Sequence, residues 1–172
     1  NINLVYCDNN LMLVLQTLYR VDQFPILNNH IELSSSKRAD THNFREVVYK
    51  IINEGTKSVL CCSNGVRMKD FAKILNTLYD LNIGGFYNFH VWVDEGDKWL
   101  PCIDRYIMPL VEKYGNIKLN FITATSERII KRFGKVEVMP LEYAHLPTYH
   151  KWTDSDHRSY PDLFSTAEFV EY

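Results

Sequence analysis

Apolar residues along this chain fall into short continuous runs and into stripes at helical spacing, and the regular exchange between the two predicts the architecture. Over 4–20, Leu4, Val5, Leu11, Leu13, Val14, Leu15, Leu18 and Tyr19 fit a helical stripe better than alternation, with Asp8-Asn9-Asn10 as a cap or break, so a helix is expected there. Pro25 and Asn28-Asn29 mark a connection before a short strand at 30–33. A helix over 42–53, with Phe44, Val47, Val48, Ile51 and Ile52 at helical spacing, should stop at Gly55 in a left-handed cap. A strand at 58–62 follows, then a helix over 66–79 with Val66, Phe71, Ile74, Leu75 and Leu78 on its buried stripe. Gly84-Gly85 breaks the chain before an apolar strand that ends in acids at Asp94. The helix expected over 99–114 tolerates Pro101 in its first turn and should kink at Pro109. A strand at 117–122, a short helix at 126–133 and a strand at 135–139 complete the alternation. Continuous apolar strands separated by amphipathic helices predict an α/β fold whose central parallel sheet is covered on both faces.

Composition narrows the class without naming a function. The 172 residues suffice for one domain that buries roughly 70% of its unfolded surface. A hydrophobic content of 46% and a charged content of 23% argue against disorder and fibrous repeats. The net charge of -2 excludes a uniformly basic nucleic-acid coat and leaves room for a local basic face. Cys7, Cys61, Cys62 and Cys102 lack zinc-ribbon spacing and read as reduced core thiols. His145, His150 and His157, near Asp154 and Asp156, are too irregularly spaced for a zinc site. No apolar run reaches the ~18 residues of a membrane span and no leader pattern opens the sequence, so a protein located inside the cell, cytoplasmic or nuclear, or inside a virus particle is expected.

The strongest chemical signal is Phe89-His90-Val91-Trp92-Val93-Asp94-Glu95-Gly96-Asp97, an apolar strand ending in three carboxylates. A second strand, 118–122, runs into Thr123-Ala124-Thr125. A D-E-x-D run followed at this distance by T-A-T resembles motifs II and III of DExD/H-box (superfamily 2) helicases. The resemblance covers approximately 31–139 and implies a three-layer RecA-like domain of the P-loop NTPase type, the first of two lobes. By the resemblance, Asp94 holds magnesium and Glu95 activates the attacking water. It likewise makes the hydroxyls of Thr123 and Thr125 the link between nucleotide and nucleic-acid sites. The run after the strand at 58–62 occupies the place of motif Ia, so Ser63, Asn64, Gly65 and Arg67 are expected at a nucleic-acid backbone. Read without the resemblance, Asp94 to Asp97 is a turn of solvated acids, Thr125 a helix cap, and Gly65 a strand-to-helix turn.

A phosphate loop should then follow the first strand, and the matching place is Ser34 to Thr41. Laid on G-x-x-x-x-G-K-[ST], Ser34 stands at the first glycine, Ala39 at the second, Asp40 at the lysine and Thr41 at the magnesium-contacting hydroxyl. Only Thr41 agrees. At an effective dielectric of ~20, a unit charge pair at ~4 Å is worth ~4 kcal/mol, so Asp40 would repel a triphosphate where lysine attracts. Lys37 or Arg38 would have to replace the missing charge. The alternative is a polar loop with Asp40 capping the next helix.

Together these readings divide the chain into an N-terminal helical extension (1–29), a RecA-like lobe (30–140) and a C-terminal tail (141–172) with Tyr143, Tyr149, Trp152 and Tyr160, packed on the lobe or on a partner. The leading functional expectation is a helicase-derived lobe with a degenerate P-loop, acting as a nucleic-acid-associated or scaffolding module. Its cofactors would be ATP and magnesium, or none, and its partners nucleic acid or other protein subunits. One alternative is the N-terminal lobe of an active ATP-dependent helicase, completed by a second lobe in trans. The other is a structural subunit of a large assembly such as a virus particle.

Overall fold

The computed structural model describes residues 1–7, 9–22, 29–123, 125–134 and 136–137. The chain divides into two units, Asn1–Lys135 and Val136–Tyr172, and the first contains every element described below. The aromatic tail, the histidines beyond 140 and most of the strand expected at 135–139 lie outside the described residues.

Five strands form one sheet: β1 (Ile2–Cys7), β2 (His30–Leu33), β3 (Ser58–Cys62), β4 (Phe89–Asp94) and β5 (Ile117–Ile122). Their order is β2-β3-β1-β4-β5, and every neighbouring pair is parallel. Among the described residues five helices connect them, α1 (Leu11–Asp22), α2 (Phe44–Asn53), α3 (Gly65–Asp80), α4 (Leu100–Tyr106) and α5 (Met108–Lys113), and α6 (Glu127–Phe133) follows β5. Alternate strand residues feed two cores. Leu4, Tyr6, Val59, Cys61, Val91 and Val93 pack on one face with residues of α2 to α5, such as Val47, Phe71, Ile103 and Leu110. On the other face Cys7 and Leu60 pack with Val14 of α1. The expected three-layer α/β architecture, with a central parallel sheet between helical layers, is therefore present.

The helix expected over 4–20 is two elements. Ile2–Cys7 is a strand, and the central one, so the segment 1–29 is no separate helical extension. A strand buried on both faces carries no clean alternation, and Leu4 and Val5 run in phase with the stripe of the helix that follows. The turn between them ends at Asn10, whose side-chain oxygen accepts the Met12 amide at 2.9 Å and caps α1.

The helix expected over 99–114 is broken at Ile107 into α4 and α5. Pro109 has no amide to donate and its ring crowds the carbonyl four residues back, so it is accommodated in a new first turn and ends the old helix. Val66 and Ile52, expected on buried stripes, are 66% and 42% exposed, whereas Met68 and Asp70 are buried.

Candidate functional site

The carboxyl end of β4 is a tight turn. Asp94 closes the strand, Glu95 adopts a left-handed conformation at φ 51°, and Gly96 opens a single 3-10 turn, Gly96–Lys98. A Cβ on Gly96 would lie 2.4 Å from the Phe121 ring, so this position of the D-E-x-D run admits glycine only. The Glu95 amide donates to the Ile122 carbonyl at 2.8 Å and to Asp94 Oδ1 at 3.1 Å, and the Glu95 carboxylate pairs with Lys98 at 3.1 Å.

The structure brings the acidic turn and the threonines together. Thr123 Oγ1 donates to Asp97 Oδ1 at 3.0 Å and Thr125 Oγ1 to Asp97 Oδ2 at 3.1 Å. The Thr125 amide donates to Thr123 Oγ1 at 3.0 Å, which fixes the turn beyond β5. Desolvation pushes the Asp97 carboxyl up, but the two hydroxyl hydrogen bonds and the nearby Arg128 outweigh it and hold the group below its ordinary value of 3.8.

Ser34 to Thr41 lies elsewhere and is closed on itself. It follows β2, an edge strand, with β3 and β1 between it and β4. Three strand spacings amount to roughly 14 Å, too far for Thr41 and Asp94 to share one magnesium ion. The Thr41 hydroxyl is also fully buried and donates to the Glu32 carbonyl at 2.8 Å. Asp40 does not cap the following helix: its Oδ2 accepts the Glu32 amide at 2.8 Å, and Asn43 caps α2 by accepting the amides of Arg45 and Glu46.

A phosphate loop works by turning successive amides toward the ligand. Here the Ser34, Ala39 and Thr41 amides donate to the carbonyls of Thr41, Ser36 and Glu32. Those of Ser36 and Arg38 donate to the hydroxyls of Ser34 and Ser36. The residues present therefore do not fit a triphosphate, although Lys37 and Arg38 are exposed beside the loop.

The residues expected at a nucleic-acid backbone are also largely spent. Ser63 is fully buried, and both its amide and its hydroxyl donate to the Cys7 carbonyl. Asn64 caps α3 by accepting the Arg67 amide at 3.0 Å and donates to Asn9 Oδ1 at 3.1 Å. Gly65 begins α3 with Tyr106 and Cys102 close by, and Arg67 Nη1 pairs with Asp70 at 3.0 Å.

Sequence reasoning missed the place where the crossovers diverge. From β1 the chain passes over β3 to β2, whereas from β3 it passes back over β1 to β4. In open α/β sheets the crevice at such a switch point, outside the carboxyl ends of the strands, is the usual ligand position. Cys7, Asn9 and Asn64 stand there beside Asp94, and the signal was the Asp-Asn-Asn turn after Cys7. Among the described residues no group of three or more His, Cys, Asp or Glu side chains is arranged to hold a metal. No helix among them is long and apolar enough to cross a membrane. No protein-family model, curated protein or solved structure matches the chain.

Proposed function

We propose that this chain is a helicase-derived α/β lobe that serves as a docking or scaffolding module for other subunits and does not hydrolyse ATP alone. The observation that carries this reading is the loop after β2, where the amides of Ser34, Ser36, Arg38, Ala39 and Thr41, the Asp40 carboxylate and the Thr41 hydroxyl are committed within the loop or to Glu32. The helicase ancestry draws support from the pairing of Asp97 with Thr123 and Thr125, the two stretches that carry the resemblance. Protein subunits are favoured over nucleic acid as partners because Ser63, Asn64, Arg67, Thr123 and Thr125 make internal hydrogen bonds.

Magnesium-dependent binding of a fluorescent ATP analogue tests the reading, with Asp40→Lys beside the wild type. Neither protein should bind, because a lysine restores charge and leaves the amides spent. Wild-type binding, with magnesium-dependent phosphate release that Glu95→Gln abolishes, would replace this proposal by an active helicase lobe. Tight binding of single- or double-stranded nucleic acid at low salt would return nucleic acid to the head of the partner list.

A further inference from the structure

We propose that Cys62 is a thiol-oxidation site and Cys7 its resolving partner, so that a peroxide closes a disulfide between the carboxyl ends of β1 and β3. The two are register partners on adjacent parallel strands. Strand spacing puts their Cα atoms about 4.8 Å apart, within the roughly 4.4–6.8 Å span that disulfides adopt. Paired positions project to the same face, and both thiols pack in the small cluster under α1 with Val5, Val14, Leu18 and Leu60.

The other two thiols are on the wrong side of the sheet. Cys61, adjacent in sequence, points into the opposite core, and Cys102 of α4 packs against that same core. The sheet therefore separates Cys61 and Cys102 from Cys7 and Cys62, which leaves Cys7 as the one partner on the Cys62 face.

Exposure assigns the order of events. Cys62 is half-buried, whereas Cys7 is 4% exposed, so a hydroperoxide meets Cys62 first. The Cys62 sulfur attacks the O–O bond of hydrogen peroxide, which breaks to leave Cys62 sulfenic acid and one water. The Cys7 sulfur then attacks the sulfenic sulfur, the S–S bond forms, and the hydroxyl leaves as a second water with the Cys7 proton. Two thiols lose two electrons in all, and the peroxide gains them. Burial pushes the Cys7 thiol up; a hydrogen bond with Thr17 lowers it, and the neighbouring Asp94 and Cys62 raise it again. That environment suits a shielded resolving thiol better than a first point of attack.

Closure has a structural consequence. The Cβ atoms of a disulfide lie about 3.8 Å apart, so the strands must pinch by about 1 Å from their normal spacing. Cys7 and Cys62 are the last residues of their strands, where the ladder ends and movement is least resisted. The pinch falls on Ser63, whose amide and hydroxyl hold the Cys7 carbonyl, and on the Asn64 cap of α3. Oxidation thus reaches the first turn of α3, at the switch point beside Asp94.

Peptide mapping tests this. The native chain is treated with hydrogen peroxide, remaining thiols are alkylated without reduction, and the protein is cut with trypsin. The expected product joins the peptide ending at Arg20 to peptide 58–67 through Cys62, with a mass two hydrogens below the sum, and is released by a reductant. The link should vanish in Cys62→Ser and Cys7→Ser and persist in Cys61→Ala. Fragment ions that separate Cys61 from Cys62 in the wild type decide the question even where a serine variant fails to fold. A link through Cys61 or Cys102, Cys62 sulfinic acid beside an alkylated Cys7, or both thiols recovered unoxidised would each overturn the proposal.

Discussion

Asp97 shows how much one residue can carry in this turn. A carboxyl whose pKa falls on folding contributes stability above its unfolded value and loses it as the pH drops through the folded one. Asp97, held below 3.8 with Thr123 and Thr125 as donors, therefore supports the fold at neutral pH and stops doing so in acid. Asp97→Asn should lower the melting temperature at pH 7, and the gap from wild type should narrow as the pH falls below 3.8 and through the lower folded value, where the aspartate becomes neutral like the asparagine. A gap that stays constant across the titration would mean that the side chain acts by shape alone. This part of the site was legible because acids and hydroxyls stood at strand ends. Thr41, Ser63 and Arg67 show the converse: sequence gives a donor's identity and not whether another group already holds it, as the Glu32 and Cys7 carbonyls and the Asp70 carboxylate do here.

At the scale of elements, capping chemistry decides where helices start. Asn43 accepts two amides at the start of α2, and Glu46 reaches back to the His42 amide at 2.6 Å, a reciprocal arrangement that holds the Glu46 carboxyl below its usual range. Asn43→Ala should cost about 1 kcal/mol. At 172 residues that is a fall of roughly 2–4 °C in melting temperature, read by circular dichroism. Asp40→Ala should leave the α2 cap intact and loosen the loop after β2 instead. A larger helical loss in Asp40→Ala than in Asn43→Ala would restore Asp40 as the cap. Elements with clear caps and a single buried face, such as α2 and α3, were readable at nearly their observed bounds, and β3 was readable as a short apolar run between turn signals. The first strand was not, because apolar Val5 and Cys7 on its second face blur the alternation and Leu4 and Val5 run in phase with the stripe of the helix that follows.

For the whole molecule, the decisive fact is the position of β1 between β3 and β4, which makes the first residues of the chain the middle of the sheet. Ile2, Leu4 and Tyr6 are each no more than 3% exposed, and Cys7 anchors the second core under α1. Burying three such side chains contributes roughly 5–9 kcal/mol at about 1.5–3 kcal/mol each. That rivals the about 5–15 kcal/mol by which a typical domain is stable at all. Removing β1 would also leave β3 and β4 without the strand that joins them. Residues 30–172 alone, the lobe and tail as the sequence pattern divides them, should therefore lack a cooperative thermal transition, whereas the full chain should show one. The same logic separates the truncation from a loss of α1 alone, since Leu4→Asp leaves the helix in place and puts a charge into the main core. It should come close to abolishing the transition too. A sharp, native-like unfolding curve for 30–172 would show that the remaining strands close up without β1 and that its burial is not what holds the sheet together.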